Sequence, residues 1–244
     1  MIAIGRRSVS VRTRRERPFP NGAVGVKSDW MLTSEDPKFS PTVFLYEQPP
    51  GSILPAHFHY NNEFQIFIEG DGKIGPRTIS PVTVHYAGAY TAYGPLAAGP
   101  QGLKYFTVRT VFESGAVRVN KSEGKWPTGP RRQATSKPLS PRAACELASL
   151  VKSCESILLP RTEDGLFAAV TELPPDTELA PIVVGAGDGA FVFILAGSIL
   201  NASDRINAYE SLYFTSDEAP TLTAADSGAQ LLTLICPKRD PAYS

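Results

Sequence analysis

Two of the three histidines in this 244-residue chain, His57 and His59, stand two positions apart, and a carboxylate, Glu63, follows four positions after the second. On an extended strand side chains alternate faces, so His57 and His59 point to one side and Phe58 to the other. Tyr60, Asn61 and Asn62 read as a tight connection, because Asn tolerates left-handed backbone angles. The chain then returns from Glu63 to Glu69 as a run rich in Phe and Ile. Such a hairpin sets His59 across from Glu63 and gathers two imidazoles and one carboxylate in one small volume. That donor set, on one side of an ion, is the facial triad of non-haem Fe(II) oxygenases, with positions left open for substrate and oxygen. A structural zinc is normally closed by four protein ligands, so three argue against a purely structural ion.

Strands and turns on either side must position this hairpin. Pro41–Tyr46 reads as a strand that delivers the chain through Pro49-Pro50-Gly51 into the histidines. After Gly70 come a turn at residues 71–76, a strand at Val82–Tyr86, a Gly- and Ala-rich loop, and a strand at Leu103–Arg109. Gln65 shares the Glu63 face and is expected to line a pocket. Tyr105 and Arg109 are candidate substrate contacts, Arg109 because a guanidinium suits a carboxylate. His85 and Tyr93 are candidate neighbours of the ion, as a fourth ligand or a hydrogen-bond donor.

The spacing resembles the first signature of the cupin family: Gly51, five residues, His57-x-His59, three residues, Glu63, six residues, Gly70. Of the second signature, Gly88 and Tyr93-Gly94-Pro95 match loosely. No histidine follows them; Leu96, Ala97, Ala98 and Gly99 stand there instead, so the fourth ligand common in metal cupins is absent from its place. The resemblance implies one divalent metal ion held by His57, His59 and Glu63, with Fe(II) favoured over Mn, Ni or Zn. It implies a non-haem Fe(II) dioxygenase-type oxidoreductase acting on a small aromatic or oxygenated organic compound. The alternatives are a non-catalytic small-molecule-binding cupin, or a Zn-, Mn- or Ni-dependent hydrolase, decarboxylase or isomerase. A homo-oligomer is expected, because the apolar residues on both faces of Phe64–Ile68 need cover.

The second half of the chain repeats the first. Residues 174–184 line up with 49–59, Phe191–Gly197 with Phe64–Gly70, and Gln230–Cys236 with the strand ending at Arg109. Read across, His57 becomes Ile182, His59 becomes Val184, and Glu63 becomes Ala190, or Asp188 if the turn carries two extra residues. No histidine follows residue 85. The chain therefore resembles a bicupin, with metal chemistry in one copy and an apolar interior in the other. The expected fold is all-β: two jelly-roll (double-stranded β-helix) barrels from an internal duplication, joined by a short helix. The expected divisions are residues 1–115, a linker at 116–140, and a helix plus degenerate barrel at 141–244.

Composition narrows the partners. Lys plus Arg equals Asp plus Glu, 24 each, so no global charge favours a nucleic acid. Six arginines among the first seventeen residues fit a solvated sheet edge better than a nucleic-acid arm. The alternation at Ser8–Thr13 predicts a strand. Ser140 and Pro141 predict a helix start, with Ala143, Leu147, Leu150, Val151 and Cys154 on its apolar face. On that helix Cys145 and Cys154 face apart, so the cysteines are expected to be free thiols in a reducing cytoplasm. No apolar run reaches the length needed to span a bilayer, and the amino terminus lacks a signal-peptide core, so no membrane partner is expected.

Overall fold

The computed structural model describes residues 1–19, 21–31, 41–119, 127–218 and 220–243. The chain forms two compact units, one made of Ser8–Leu139 with Arg239–Ser244, the other of Met1–Arg7 with Ser140–Lys238. In chain order, β1 (Ile2–Gly5) and the helix α1 (Arg7–Thr13) precede the strands of the amino-terminal unit. These are β2 (Arg15–Pro18), β3 (Val24–Met31), β4 (Thr42–Gln48), β5 (Ile53–Leu54), β6 (His57–Phe58), β7 (Glu63–Ile74), β8 (Arg77–Ile79), β9 (Thr83–Ala87), β10 (Leu96–Arg109), β11 (Val117–Arg118) and β12 (Gln133–Thr135). The carboxy-terminal unit holds α2 (Ala144–Ala148), β13 (Cys154–Leu159), β14 (Phe167–Leu173), β15 (Gly187–Asn201), β16 (Asp204–Asn207), β17 (Ser211–Phe214) and β18 (Leu222–Pro237). All strand pairs are antiparallel, and each unit is a jelly roll built on one large curled sheet.

The two sheets share an order, with β2 an extra strand at the end of the first. In the first it runs β12-β9-β7-β10-β4-β3-β2, and in the second β1-β17-β15-β18-β14-β13. One local device is duplicated with it. Gly70 has φ +76° and pairs with Leu103, and a side chain there would lie 2.1 Å from Gly102 O. Gly197 has φ +72° and pairs with Ala229, and a side chain there would lie 2.1 Å from Gly228 O. Only glycine combines that left-handed angle with so close a backbone approach. These matched bulges fix the register of the repeat and give Ala190 the place that Glu63 holds in the first copy.

Alternation along β7 sorts its side chains. Glu63, Gln65 and Phe67 face the interior of the roll, where Phe67 packs with Tyr105, Leu103 and Ile74. Phe64 and Ile66 face the other way, Phe64 against Tyr86 at 5.2 Å between ring centroids. All of these residues are buried within the single chain, so both faces of the strand find cover without a second copy.

Three local expectations change. Ser8–Thr13 lies in a helix, not a strand. Val11 is 73% exposed, so no sheet face receives it. The turn is held at one end by the Arg7 N–H donating to Glu210 Oε1 at 3.0 Å. At the other end Thr13 Oγ1 lies 3.0 Å from Val9 O and accepts the Asp29 N–H at 2.9 Å. The linking helix exists but starts at Ala144, with Glu146 Oε2 accepting the Ala143 N–H at 2.7 Å. Arg142 is pinned by Glu172 and Gln230, which keeps the chain extended until Ala143. Of its expected apolar face only Leu147 is buried inside the helix; Val151 is exposed and Cys154 opens β13, so Cys145 and Cys154, both exposed free thiols, do not share a helix. Finally, the stretch read as a linker contributes β11 and β12 to the amino-terminal sheets. The edge place that β12 fills beside β9 is filled beside β17 by β1, from the start of the chain.

Candidate metal centre

The candidate residues converge inside the amino-terminal roll. The backbone of His57 is bridged to Tyr93 by a reciprocal pair of hydrogen bonds, 3.1 Å from His57 N to Tyr93 O and 3.0 Å from Tyr93 N to His57 O. The Asn61-Asn62 connection then turns the chain into β7, with Asn62 Oδ1 accepting the Ala89 N–H at 2.9 Å. His57, His59, Glu63, Gln65, Tyr93, Tyr105 and Arg109 all lie on the wall of one cavity of about 280 Å³. His85 is buried behind that wall, its ring 5.2 Å from that of Tyr93.

Each imidazole is oriented by an acceptor on its outer side. Burial lowers the His57 pKa, so the ring is neutral and its Nδ1–H donates to Pro55 O at 2.8 Å. That tautomer, assigned from the hydrogen-bond network, leaves the Nε2 lone pair facing inward. His59 Nδ1 lies 2.6 Å from Glu113 Oε1, and its Nε2 lies 3.7 Å from Glu63 Oε2. Glu113 is itself fixed by the backbone N–H groups of Tyr60 and Asn61, both at 3.1 Å. A histidine whose outer N–H meets a carbonyl or carboxylate is the arrangement that orients metal-binding imidazoles.

Glu63 is the most constrained group. Its carboxyl is held down to about 2 by His59, by the Arg109 guanidinium and by the Tyr93 hydroxyl, which together outweigh the opposing cost of burial. Arg109 donates to Glu63 Oε2 from Nε at 2.9 Å and from Nη2 at 2.6 Å. Tyr93, whose own pKa is pushed well up by burial and by Glu63, donates its hydroxyl proton to Glu63 Oε1. Gln65 Nε2 donates to the same phenol oxygen at 3.0 Å, and His57 Nε2 lies 2.9 Å from it.

That oxygen exposes a shortage of donors. One phenol proton cannot serve both Glu63 Oε1 and His57 Nε2, so one buried acceptor is left short, a deficit that a bound cation would make good. Gln65 Oε1 and His85 Nε2 are further buried acceptors or donors without a hydrogen-bond partner. Two inward Nε2 lone pairs and one carboxylate are a donor set suited to a divalent first-row metal. As the side chains lie here, no three His, Cys, Asp or Glu among the described residues stand close enough to hold an ion, and Arg109 Nη2 lies 2.6 Å from Glu63 Oε2 and 3.2 Å from His59 Nε2.

No family model and no curated protein matches this sequence. Solved structures do match over nearly the whole chain. An oxalate decarboxylase from Lactobacillus farciminis aligns with a TM-score of 0.62 at 11% identity, covering 98% of this chain and 87% of that one. The pirin YhhW of Escherichia coli, solved with nickel(II), aligns with a TM-score of 0.56 at 11% identity, covering 97% and 99%. The salicylate 1,2-dioxygenase of Pseudoaminobacter salicylatoxidans aligns with a TM-score of 0.52 at 12% identity, covering 81% and 72%. The chain has the cupin fold.

Among the described residues the second cupin barrel has no counterpart to this polar cluster. At the positions matching Glu63, Gln65, His85 and Arg109 it carries Ala190, Val192, Leu212 and Ile235, which belong to one apolar core together with Val184 and the half-buried Ile182. In the amino-terminal barrel, sequence reasoning passed over Glu113, Lys27, Arg17, Phe44 and Tyr46, all on the cavity wall. Glu113 lies past the end of β10, four residues after Arg109. That a carboxylate closes the outer side of His59 is a consequence of where the chain turns, with no motif to announce it.

Proposed function

We propose that the amino-terminal cupin barrel binds one divalent metal ion through His57, His59 and Glu63, and that the protein is a metal-dependent oxidoreductase of the dioxygenase type acting on a small aromatic or oxygenated organic compound. The observation that carries this reading is the donor shortage at Tyr93, between two imidazoles whose outer nitrogens are already anchored. When bound, such an ion supplies a Lewis acid with open coordination positions for substrate and oxygen. The chain's own residues do the rest. Pro55 O and Glu113 hold the two imidazoles in one tautomer; Gln65 and Tyr93 fix the orientation of Glu63; Arg109 balances its charge inside a dry wall. Fe(II) is the favoured ion and Mn, Ni or Zn the alternatives; the nickel(II) complex of the pirin and the dioxygenase and decarboxylase names among the structural neighbours support a metal-dependent reading.

A second reading is a small-molecule-binding cupin without catalysis. What favours it is Arg109, which already neutralises Glu63. Oxygen uptake separates the two. Iron-loaded protein offered catechols, hydroxy acids and diketones is expected to consume oxygen with at least one of them. Tight binding of a compound without metal, and no uptake with any, would favour the carrier and end the oxygenase reading.

A further inference from the structure

The cavity has a positive pole that no residue on its wall neutralises. Arg17, Lys27 and Arg109 are its cations and Glu63 and Glu113 its carboxylates. Both carboxylates are engaged, Glu63 by Arg109 and Tyr93, and Glu113 by His59 Nδ1 and two backbone N–H groups. The acidic residues nearby on β3 and β4 are engaged too: Asp29 takes both terminal nitrogens of Arg15, at 2.7 and 3.1 Å, and Glu47 pairs with Arg14. Among the described residues neither Arg17 nor Lys27 makes a salt bridge. Lys27 instead places its ammonium 3.7 Å from the centroid of Phe44, whose ring also lies 5.5 Å from the Arg109 guanidinium carbon. Desolvation by burial, helped by the charges of Arg109, Arg15 and Arg17 and opposed by that of Asp29, brings its pKa down to about 8. A half-buried ammonium among like charges is costly unless an anion joins it.

We infer that Arg17 and Lys27 form the anion subsite of this cavity and that its ligand is a small organic carboxylate. The carboxylate lies between the ammonium and the guanidinium, and the carbon body lies against Phe44 and the Tyr46–Tyr105 stack, whose rings are 5.7 Å apart and 17° from parallel. The volume, about 280 Å³, admits a single-ring or shorter acid and little more. This inference names the substrate class of the cavity proposed above as the active site, yet it needs no metal, and its test is made without one.

The test is calorimetric titration of the full chain, stripped of metal with a chelator, with benzoate, succinate, benzamide, succinamide and inorganic phosphate. At least one acid is expected to bind, and to bind tenfold or more tightly than its amide and than phosphate. Arg17→Gln, on an exposed strand, is expected to weaken the acid severalfold. The double variant Arg17→Gln, Lys27→Met is expected to weaken it tenfold or more and to leave amide binding unchanged. Equal binding of acid and amide, tighter binding of phosphate, no binding of either acid, or an Arg17→Gln variant that binds the acid as the parent does would overturn the inference. Because oxygen uptake and metal content do not enter, failure here leaves the metal reading standing, and failure of the metal reading leaves this one standing.

Discussion

At the scale of single residues, the site is a set of coupled demands on protons and charge. His85 gives the cleanest test of burial. Its pKa is lowered to about 4, chiefly by desolvation, while the unfolded chain titrates near the ordinary 6.5. The unfolded state therefore binds the extra proton between those values, so the contribution is whole above pH 6.5 and is lost as pH falls to 4. The total is about 3 kcal/mol. The stability gap between wild type and His85→Gln, followed by denaturant melts, should shrink over that window; a gap constant from pH 7 to 4 would contradict the assignment. Arg109 makes a second test. Removing the guanidinium leaves Glu63 buried without its partner, so Arg109→Leu should cost about 3–5 kcal/mol in metal-free protein. Added divalent metal should restore more stability to this variant than to wild type, as melting curves would show. Glu113→Gln should weaken metal binding about tenfold to a hundredfold by loosening His59, measured by competition with a chelating dye. The chemistry-bearing residues on the hairpin were legible in sequence because period-two spacing fixes their face. Glu113, Arg17 and Lys27 were not, because only the curl of the sheet brings them to the same wall.

At the scale of elements, pattern succeeded where runs were long and failed where they were short. β7, β10, β15 and β18 are read from apolar strings bounded by glycines, and the parity of β7 assigns Glu63 and Gln65 inward. α1 and α2 are seven and five residues long, too short for periodicity to decide; Glu210 and Asp29 hold the ends of α1, and Glu146 with the anchored Arg142 sets the start of α2. The matched bulges at Gly70 and Gly197 invite substitution. Gly70→Ala or Gly197→Ala meets both a left-handed angle and a backbone oxygen, whereas Gly51→Ala, with φ +67°, meets open space. Thermal melts should show either bulge variant losing more than about 1 kcal/mol, and more than Gly51→Ala loses. Equal losses at the three positions would mean that the close backbone approach contributes nothing.

At the scale of the whole molecule, duplication made the fold legible, since each half carries the same sheet order and the same glycine device. What the repeat could not announce is that the units are not continuous stretches: β1, from the first residues, completes the carboxy-terminal sheet, and residues after Lys238 belong with the amino-terminal unit. The duplication also sharpens the central claim, because the second barrel replaces Glu63, Gln65, His85 and Arg109 by Ala190, Val192, Leu212 and Ile235, all members of an apolar core. On the proposed reading one copy holds an ion and the other does not. Elemental analysis of purified protein by mass spectrometry, scaled to chain concentration, tests this most directly. The account predicts one divalent ion per chain in wild type and none in the His57→Ala, His59→Ala double variant, with the fold retained by circular dichroism. Two ions per chain, or an unchanged ion content in the double variant, would contradict it.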